Sequence, residues 1–318
     1  MPSIQIGRLS TVVSHKVGFM FPGQGAQYVG MASRLCNDFP RAKSLFDTAS
    51  DILGYNLLTK CTEGPETVLN STAVAQPAIF VSSIAALEML KAQDPDAIGK
   101  CTVSMGLSLG EYSALCFAGA ISYEDGVKLT KSRGLAMQAA SDAQRSGMVA
   151  ITGLSVENVH AACKAAEEKS GLPISVGNYL LEGNYVVSGA AEACDLVKDI
   201  AMAMGARSTT QLPVAGAFHT GFMQPAAAQL TAVLREVKIS SPRIPVISNV
   251  DAKAHVAPDD IRHALVKQLV APVQWEATMK NMLLAPEFEQ CYEIGPGNLC
   301  KGIVMRIRKR AKCVSAQV

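Results

Sequence analysis

Short apolar runs alternate with longer amphipathic stretches along most of the chain. The continuous apolar run Val17–Phe21 is typical of a buried strand. Further strands are predicted at 101–105 and 244–250, and Gln290–Ile294 is predicted to be the last strand. Helical periodicity or helix-forming composition predicts helices at 40–53, 77–93, 123–143, 225–237 and 259–270. This alternation predicts an α/β fold whose core is a parallel sheet.

The pattern changes after Gly147. Strands are predicted at 148–154, 174–181, 185–189 and 207–212, with helices at 155–169 and 191–205. The order βαββαβ is that of a ferredoxin-like unit. We therefore predict a ferredoxin-like domain of residues 147–213 inserted into an α/β-hydrolase-like catalytic domain of residues 1–146 and 214–318.

Composition narrows the function classes. Of the 318 residues, 49% are hydrophobic and 18% are charged, so a sizeable core is expected, and a net charge of +2 does not favour nucleic acid as a partner. The nine cysteines include no C-x-x-C pair, which favours reduced thiols over disulfides or zinc. No apolar run is expected to be long enough to cross a membrane. Residues 1–16 contain no acidic residue, which fits either the stub of an organelle transit peptide or a short disordered start.

The most informative motif is Gly106-Leu107-Ser108-Leu109-Gly110, between a predicted strand and a helix-forming stretch. A serine flanked by glycines at a strand-to-helix turn is the nucleophile-elbow pattern. The free N–H groups at the start of the helix can stabilise an oxyanion. The pentapeptide alone is moderately specific, and an ordinary tight turn is the alternative.

A nucleophilic serine needs a general base. Among the five histidines, His219 alone lies in an apolar, glycine-flanked loop, and no aspartate is evident to complete a triad. A main-chain carbonyl is therefore expected to orient its imidazole. Arg133 shares a helix face with Leu129 and Met137, so its charge requires a partner.

The glycine-containing loop 22–27 lacks both G-x-G-x-x-G and the Lys-Ser/Thr of a P-loop, which disfavours nucleotide binding. Its Gln24 can instead supply a second N–H group to an oxyanion hole.

Five segments carry a family resemblance when they are taken together and in order: 21–27, 106–112, Arg133, 216–220 and 272–275. They resemble the malonyl-CoA:acyl carrier protein transacylases of dissociated fatty acid synthesis, from about residue 17 to 306. Leu107 stands where the commoner bacterial form has histidine, and the segment GLSLGEYSAL looks closest to plastid members. The resemblance thus implies the plastid stroma, with the cytoplasm as the alternative.

The resemblance also implies roles for individual residues. Ser108 resembles the nucleophile, His219 the acid and base, and Arg133 the residue that binds the malonyl carboxylate. The N–H groups of Gln24 and Leu109 would form the oxyanion hole. Phe218 would disfavour methylmalonyl, and the backbone carbonyl of Gln274 would orient His219.

The implied partners are malonyl-CoA and an acidic acyl carrier protein, which basic residues such as Lys301, Arg306 and Lys309 are candidates to meet. The resemblance implies a monomer with no metal, redox cofactor, nucleic acid or membrane partner.

Three other functions stay open at this point. A serine esterase or thioesterase would use the same elbow, but it should have an acidic residue for a triad and has no use for Arg133. An acyltransferase of a polyketide pathway would use the same chemistry with another carrier or extender unit. A non-catalytic docking module for carrier proteins would not need the set Ser108, His219, Arg133 and Gln24.

Overall fold

The computed structural model describes residues 16–318. Its first sheet has five strands in the order β10-β9-β1-β2-β7. Their bounds are β1 Val17–Phe21, β2 Val103–Gly106, β7 Val246–Ile247, β9 Gln290–Ile294 and β10 Lys312–Ala316. All four strand pairs are parallel, and β1 at the centre is buried along its whole length. The predicted α/β class is confirmed.

Fourteen helices cover and connect the sheets within the described residues. They are α1 Ser33–Asp38, α2 Pro40–Leu53, α3 Leu57–Thr62, α4 Glu66–Leu69, α5 Thr72–Gln93, α6 Pro95–Lys100, α7 Gly110–Phe117, α8 Tyr123–Ala143, α9 Val156–Ser170, α10 Ala191–Ala203, α11 Gln224–Glu236, α12 Pro258–Val270, α13 Trp275–Leu283 and α14 Leu299–Ile307. A single 3-10 turn, Gly221–Met223, precedes α11.

The end of the chain differs from its prediction. Gln290–Ile294 is not the last strand, because the chain continues into α14 and the edge strand β10. In β10 the residues alternate between exposed and more buried positions, which is the two-residue period of a strand. By contrast, only two residues of the strand predicted at 244–250 form a strand in the structure, namely those of β7.

Helix α5 forms the centre of the apolar core. It begins five residues before Pro77, where the prediction placed its start, and the proline lies inside the helix at the loss of one backbone hydrogen bond. By length and hydropathy α5 meets the criterion for a membrane span, so the expectation that no apolar run was long enough is wrong. However, 83% of its most apolar window is buried inside the protein, as in a core helix.

The second sheet follows the predicted βαββαβ order. Its strands lie in the order β6-β3-β5-β4-β8 and have the bounds β3 Ser146–Thr152, β4 Ile174–Leu181, β5 Asn184–Ala190, β6 Ser208–Gln211 and β8 Val273–Gln274. The first four pair antiparallel, whereas β8, from outside residues 147–213, adds parallel to β4. Because Met148 and Val186 also join the apolar cluster of the first sheet, the division into two domains stays a prediction.

Candidate active site

The elbow motif forms a tight turn between β2 and α7. Ser108 sits at its tip with φ +50°, a left-handed conformation that a residue with a side chain rarely adopts. A Cβ atom on Gly106 would overlap the backbone of Gly110, and one on Gly110 would overlap the carbonyl of Phe21. The two glycines therefore let the turn fold back on itself and against the end of β1, and this leaves the hydroxyl of Ser108 free to project.

The structure brings Ser108 and His219 into contact across 111 residues of sequence. The Oγ of Ser108 lies 3.0 Å from Nε2 of His219. The other ring nitrogen, Nδ1, lies 2.7 Å from the backbone carbonyl oxygen of Gln268. A carbonyl only accepts hydrogen bonds, so Nδ1 carries the proton and the neutral ring presents an acceptor, Nε2, to the serine hydroxyl. This is the geometry of a nucleophile with its general base.

The expectation that Gln274 orients His219 is wrong. The carbonyl of Gln274 accepts a bond from Oγ1 of Thr278, and its N–H donates to Asn249. Gln268 takes the role because it lies in the last turn of α12, where backbone carbonyls lack a helical partner. The residue four positions on is Pro272, which has no N–H group to offer. A main-chain carbonyl does orient the imidazole, but it comes from the glutamine six residues earlier.

Burial sets the protonation state of His219. The ring is buried, and this desolvation, with a smaller contribution from the charge of Arg133, lowers its pKa to about 4. The hydrogen bond to the Gln268 carbonyl opposes the shift, because it stabilises the protonated ring. At neutral pH the imidazole is therefore uncharged and ready to accept the proton of Ser108.

Arg133 projects from α8 into the same centre and is 1% exposed. Its Nη2 lies 3.1 Å from Oγ of Ser108 and 2.9 Å from Oε1 of Gln268, and the guanidinium carbon lies 5.5 Å from the centre of the Tyr112 ring. Nε has no hydrogen-bond partner, and no carboxylate of residues 16–318 forms a salt bridge with the group. A buried cation beside a nucleophile, without a paired anion, suits a substrate that brings its own negative charge.

The backbone N–H groups of Gln24 and Leu109 are the ones predicted to form an oxyanion hole. In the described part of the chain, neither Gln24 nor Leu109 donates its N–H to a backbone acceptor. The loop after β1 comes close to the elbow, because a Cβ atom on Gly23 would overlap the carbonyl oxygen of Leu107. The side chain of Gln24 is held by a 3.3 Å hydrogen bond that its Nε2 donates to Oγ1 of Thr72.

A cleft of about 380 Å³ leads to Ser108 and His219 between the two sheets. Its wall is largely apolar and includes Leu107, Met148, Leu180, Val186, Phe218 and Leu299. Phe218 is buried beside His219, and Leu107, the residue before Ser108, also lines the cleft. Among residues 16–318, no group of three His, Cys, Asp or Glu side chains is placed to hold a metal ion.

Three buried polar groups next to the elbow were not predicted from the sequence: Glu111, Asn249 and the side chain of Gln268. All three are buried, and hydrogen bonds of 2.6 to 3.0 Å connect them to each other and to the elbow. A signal for Gln268 existed. It lies on the helix face of Ile261, Leu265 and Leu269, and a polar residue in an apolar stripe requires a partner.

Comparison with known proteins relates the chain to one family. Residues 18–316 match the model of the family described as acyl transferase domain. The mitochondrial malonyl-CoA-acyl carrier protein transacylase of Mus musculus is 40% identical over 301 residues, which cover 92% of this chain and 79% of that protein. The malonyl CoA-acyl carrier protein transacylase of Escherichia coli K12 is 39% identical over 290 residues, 91% of this chain and 92% of that protein.

Among solved structures, the malonyl CoA-acyl carrier protein transacylase of Coxiella burnetii superposes with a TM-score of 0.89. The two sequences are 35% identical, and the match covers 96% of this chain and 95% of that one. The likeness therefore extends over both sheets and the cleft between them.

Proposed function

Because the chain belongs to the acyl transferase domain family, we propose that it transfers malonyl from coenzyme A to the phosphopantetheine thiol of an acyl carrier protein through an ester on Ser108. The observation that carries the proposal is the buried guanidinium of Arg133, which forms no salt bridge within the described residues and lies 3.1 Å from the Ser108 hydroxyl. A hydrolase of neutral esters has no use for a cation there. Malonyl supplies the missing anion, because its free carboxylate can pair with the guanidinium through two charge-assisted hydrogen bonds.

In the first half-reaction, Ser108 attacks the thioester carbonyl of malonyl-CoA. Nε2 of His219 accepts the hydroxyl proton as the C–O bond forms. The oxyanion accepts hydrogen bonds from the N–H groups of Gln24 and Leu109, each worth about 3 kcal/mol in such sites. The C–S bond then breaks, and His219 returns the proton to the departing thiol. Malonyl remains as an ester on Ser108.

The second half-reaction reverses these steps with a new thiol. The phosphopantetheine thiol enters the cleft and gives its proton to His219, and its sulfur attacks the ester. Ser108 leaves with the proton, and malonyl departs on the carrier. Because a thioester and an ester are close in energy, transfer depends on excluding water, which the narrow apolar cleft favours.

Two residues would select the acyl group. Arg133 pairs with the free carboxylate, so acetyl and other neutral groups lose a buried ionic contact. Phe218 occupies the wall of the cleft next to the base, where it restricts the space beside the α-carbon of the acyl group. A branched extender such as methylmalonyl is therefore disfavoured.

The carrier protein would approach over α14. This helix begins at Leu299, which lines the cleft, and it carries Lys301 and the exposed Arg306, with the exposed Lys309 just beyond it. Acyl carrier proteins are expected to be acidic, so basic side chains near the mouth of the cleft would steer the encounter.

Intact-protein mass spectrometry tests the proposal. After mixing with malonyl-CoA, the protein should gain one malonyl group, located at Ser108 by peptide mapping, and should lose it when an acyl carrier protein bearing phosphopantetheine is added. The variant Ser108→Ala should gain none. An adduct that persists in this variant, or one that passes to water faster than to the carrier, contradicts the proposal.

The compartment is a separate proposal. We propose the plastid stroma, on the resemblance of the elbow wording GLSLGEYSAL to plastid members; the curated relatives themselves include mitochondrial and bacterial proteins. Immunofluorescence of the cells from which the protein comes, with an antibody raised against this chain, should place it with chlorophyll autofluorescence. A mitochondrial or diffuse cytoplasmic signal contradicts this location.

A further inference from the structure

Glu111 is a buried carboxyl group beside the nucleophile for which the transfer chemistry has no use. It lies three residues after Ser108, in the first turn of α7, and is 3% exposed. Its Oε2 accepts two hydrogen bonds, one from the backbone N–H of Asn249 at 3.0 Å and one from Nε2 of Gln268 at 2.7 Å. Burying a carboxyl group is costly unless such partners are fixed around it, so a specific role is expected.

Both partners of Glu111 hold the elbow. The side chain of Asn249 accepts a 2.6 Å bond from the N–H of Ser108 and donates a 2.7 Å bond to the carbonyl of Gly106. Nε2 of Gln268 also donates to the carbonyl of Ser108 at 3.0 Å. The strained turn around Ser108 is thus held on both sides by groups that meet at one oxygen of Glu111.

Gln268 connects the same oxygen to the other two catalytic groups. Its Oε1 accepts from Nη2 of Arg133 at 2.9 Å, and its backbone carbonyl accepts from Nδ1 of His219. The amide has two possible orientations, related by a half turn. Oε2 of Glu111 acts as an acceptor, since it also accepts from the backbone N–H of Asn249, so it places the NH₂ group of Gln268 on its own side and directs the amide oxygen toward the guanidinium. In the reverse orientation the NH₂ group would face Arg133, donor against donor.

From these contacts we propose that Glu111 is a positioning residue, which fixes Arg133 and the Ser108–His219 pair for malonyl transfer by holding Gln268 and Asn249. It touches no substrate in this scheme. The proposal rests on the proposed function, because its effect is measured on malonyl.

The test compares Glu111→Ala with Glu111→Gln in single-turnover acylation of Ser108 by malonyl-CoA and by acetyl-CoA. A glutamine oxygen can accept both bonds, with its NH₂ group on the far side, so Glu111→Gln should stay within a few-fold of the parent protein. Glu111→Ala releases Gln268 and the elbow. The rate of acylation by malonyl-CoA should fall about a hundredfold, as for a small misplacement of reacting groups. The ratio of malonyl to acetyl rates should also fall, because Arg133 is no longer held in position by Gln268.

A second buried carboxyl provides a matched control. Glu293 on β9 is fully buried and also accepts two backbone bonds, from the N–H groups of Cys300 and Lys301, but it lies outside the site. Glu293→Ala should lower stability while leaving the malonyl to acetyl ratio unchanged. If Glu111→Ala behaves in the same way, Glu111 is merely structural and the proposal is overturned.

Two further results complete the test. Gln268→Met keeps length and removes the amide, so it should lower the malonyl to acetyl ratio even if Glu111→Ala does not fold, and an unchanged ratio overturns the proposal. Equal damage from Glu111→Gln and Glu111→Ala also overturns it, since positioning by accepted hydrogen bonds would then not be the cause. A parent protein that acquires no malonyl at Ser108 contradicts the proposed function itself, which separates the two failures.

Discussion

Nη2 of Arg133 lies 3.1 Å from Oγ of Ser108, so the buried cation and the nucleophile share one centre although they come from different elements. The guanidinium has no carboxylate partner within the described residues. A substrate carboxylate that pairs with it would lie within reach of the serine, and its thioester carbonyl would be held for attack. In the proposed function, this contact would make the site selective for a charged acyl group.

Arg133→Ala should therefore lose malonyl transfer and gain relative activity on acetyl-CoA. Removing one partner of a buried charged pair costs about 3 kcal/mol, roughly a hundredfold in kcat/KM for malonyl-CoA. Acetyl transfer does not use the pair and should change much less. Steady-state rates with both donors and one carrier measure the ratio, and a preference for malonyl that survives the substitution contradicts the assignment of Arg133.

The meeting of Ser108, His219 and Arg133 in one site was predictable because each residue conflicts with its local sequence environment. Ser108 lies between glycines after a strand, His219 in an apolar loop, and Arg133 on an apolar helix face. Such conflicts are visible without knowledge of the fold.

The orienting carbonyl was not predictable in the same way. Gln268 and Gln274 lie six residues apart, and only the packing of the end of α12 against the His219 loop decides which carbonyl reaches Nδ1. The absence of an N–H group at Pro272 marked the carbonyl of Gln268 as free, but did not show what would approach it. The extent of β7 and the existence of β10 depend likewise on pairing with distant strands, which short local patterns do not specify.

The pH dependence of acylation should reflect the low pKa of His219. The reaction needs the neutral ring, and the folded protein keeps it neutral until the pH falls to about 4. The value of kcat/KM for malonyl-CoA should therefore be at its full level above pH 4 and should fall as the pH drops through about 4. This acid limb lies well below the ordinary pKa of histidine, which is near 6.5. An acid limb near 6.5 contradicts the burial of the base.

The causes of this shift can be separated with the variant Arg133→Met. Burial is the largest cause and the positive charge of Arg133 the second. Removing the charge should therefore raise the pKa of His219 and move the acid limb to higher pH, but only part of the way toward 6.5. Acetyl-CoA serves as the donor here, because its binding does not depend on Arg133. A limb that does not move shows that Arg133 makes no electrostatic contribution to the protonation of His219.

Phe218 should control the size of the acyl group. The ring is 5% exposed and forms the cleft wall next to the base. Phe218→Ser opens space beside the α-carbon, and one methyl group in a tight pocket is worth about 1–3 kcal/mol of discrimination. The ratio of methylmalonyl to malonyl kcat/KM should therefore rise about tenfold or more. The malonyl rate of the same variant is the internal reference, and an unchanged ratio would assign the discrimination to another part of the cleft.

The geometry of the elbow should make its first glycine irreplaceable. A Cβ atom on Gly106 would overlap the backbone of Gly110, which cannot move aside without displacing Ser108. Gly106→Ala should therefore lower the free energy of unfolding by about 3 kcal/mol or more, as severe overpacking does. Urea unfolding followed by circular dichroism measures the change. Acylation of Ser108 should be lost even under conditions in which the variant remains folded, because the turn that presents the hydroxyl cannot form.

Gly302 is the matched control for this substitution. It lies inside α14, and a Cβ atom added there would meet no atom within 4 Å. Alanine forms helices better than glycine by up to about 1 kcal/mol, so Gly302→Ala should leave the protein as stable as before or slightly more stable. The contrast between the two variants separates steric overlap at the elbow from any general effect of an added methyl group. If both substitutions lower the free energy of unfolding equally, the close approach at Gly106 is not what limits that position.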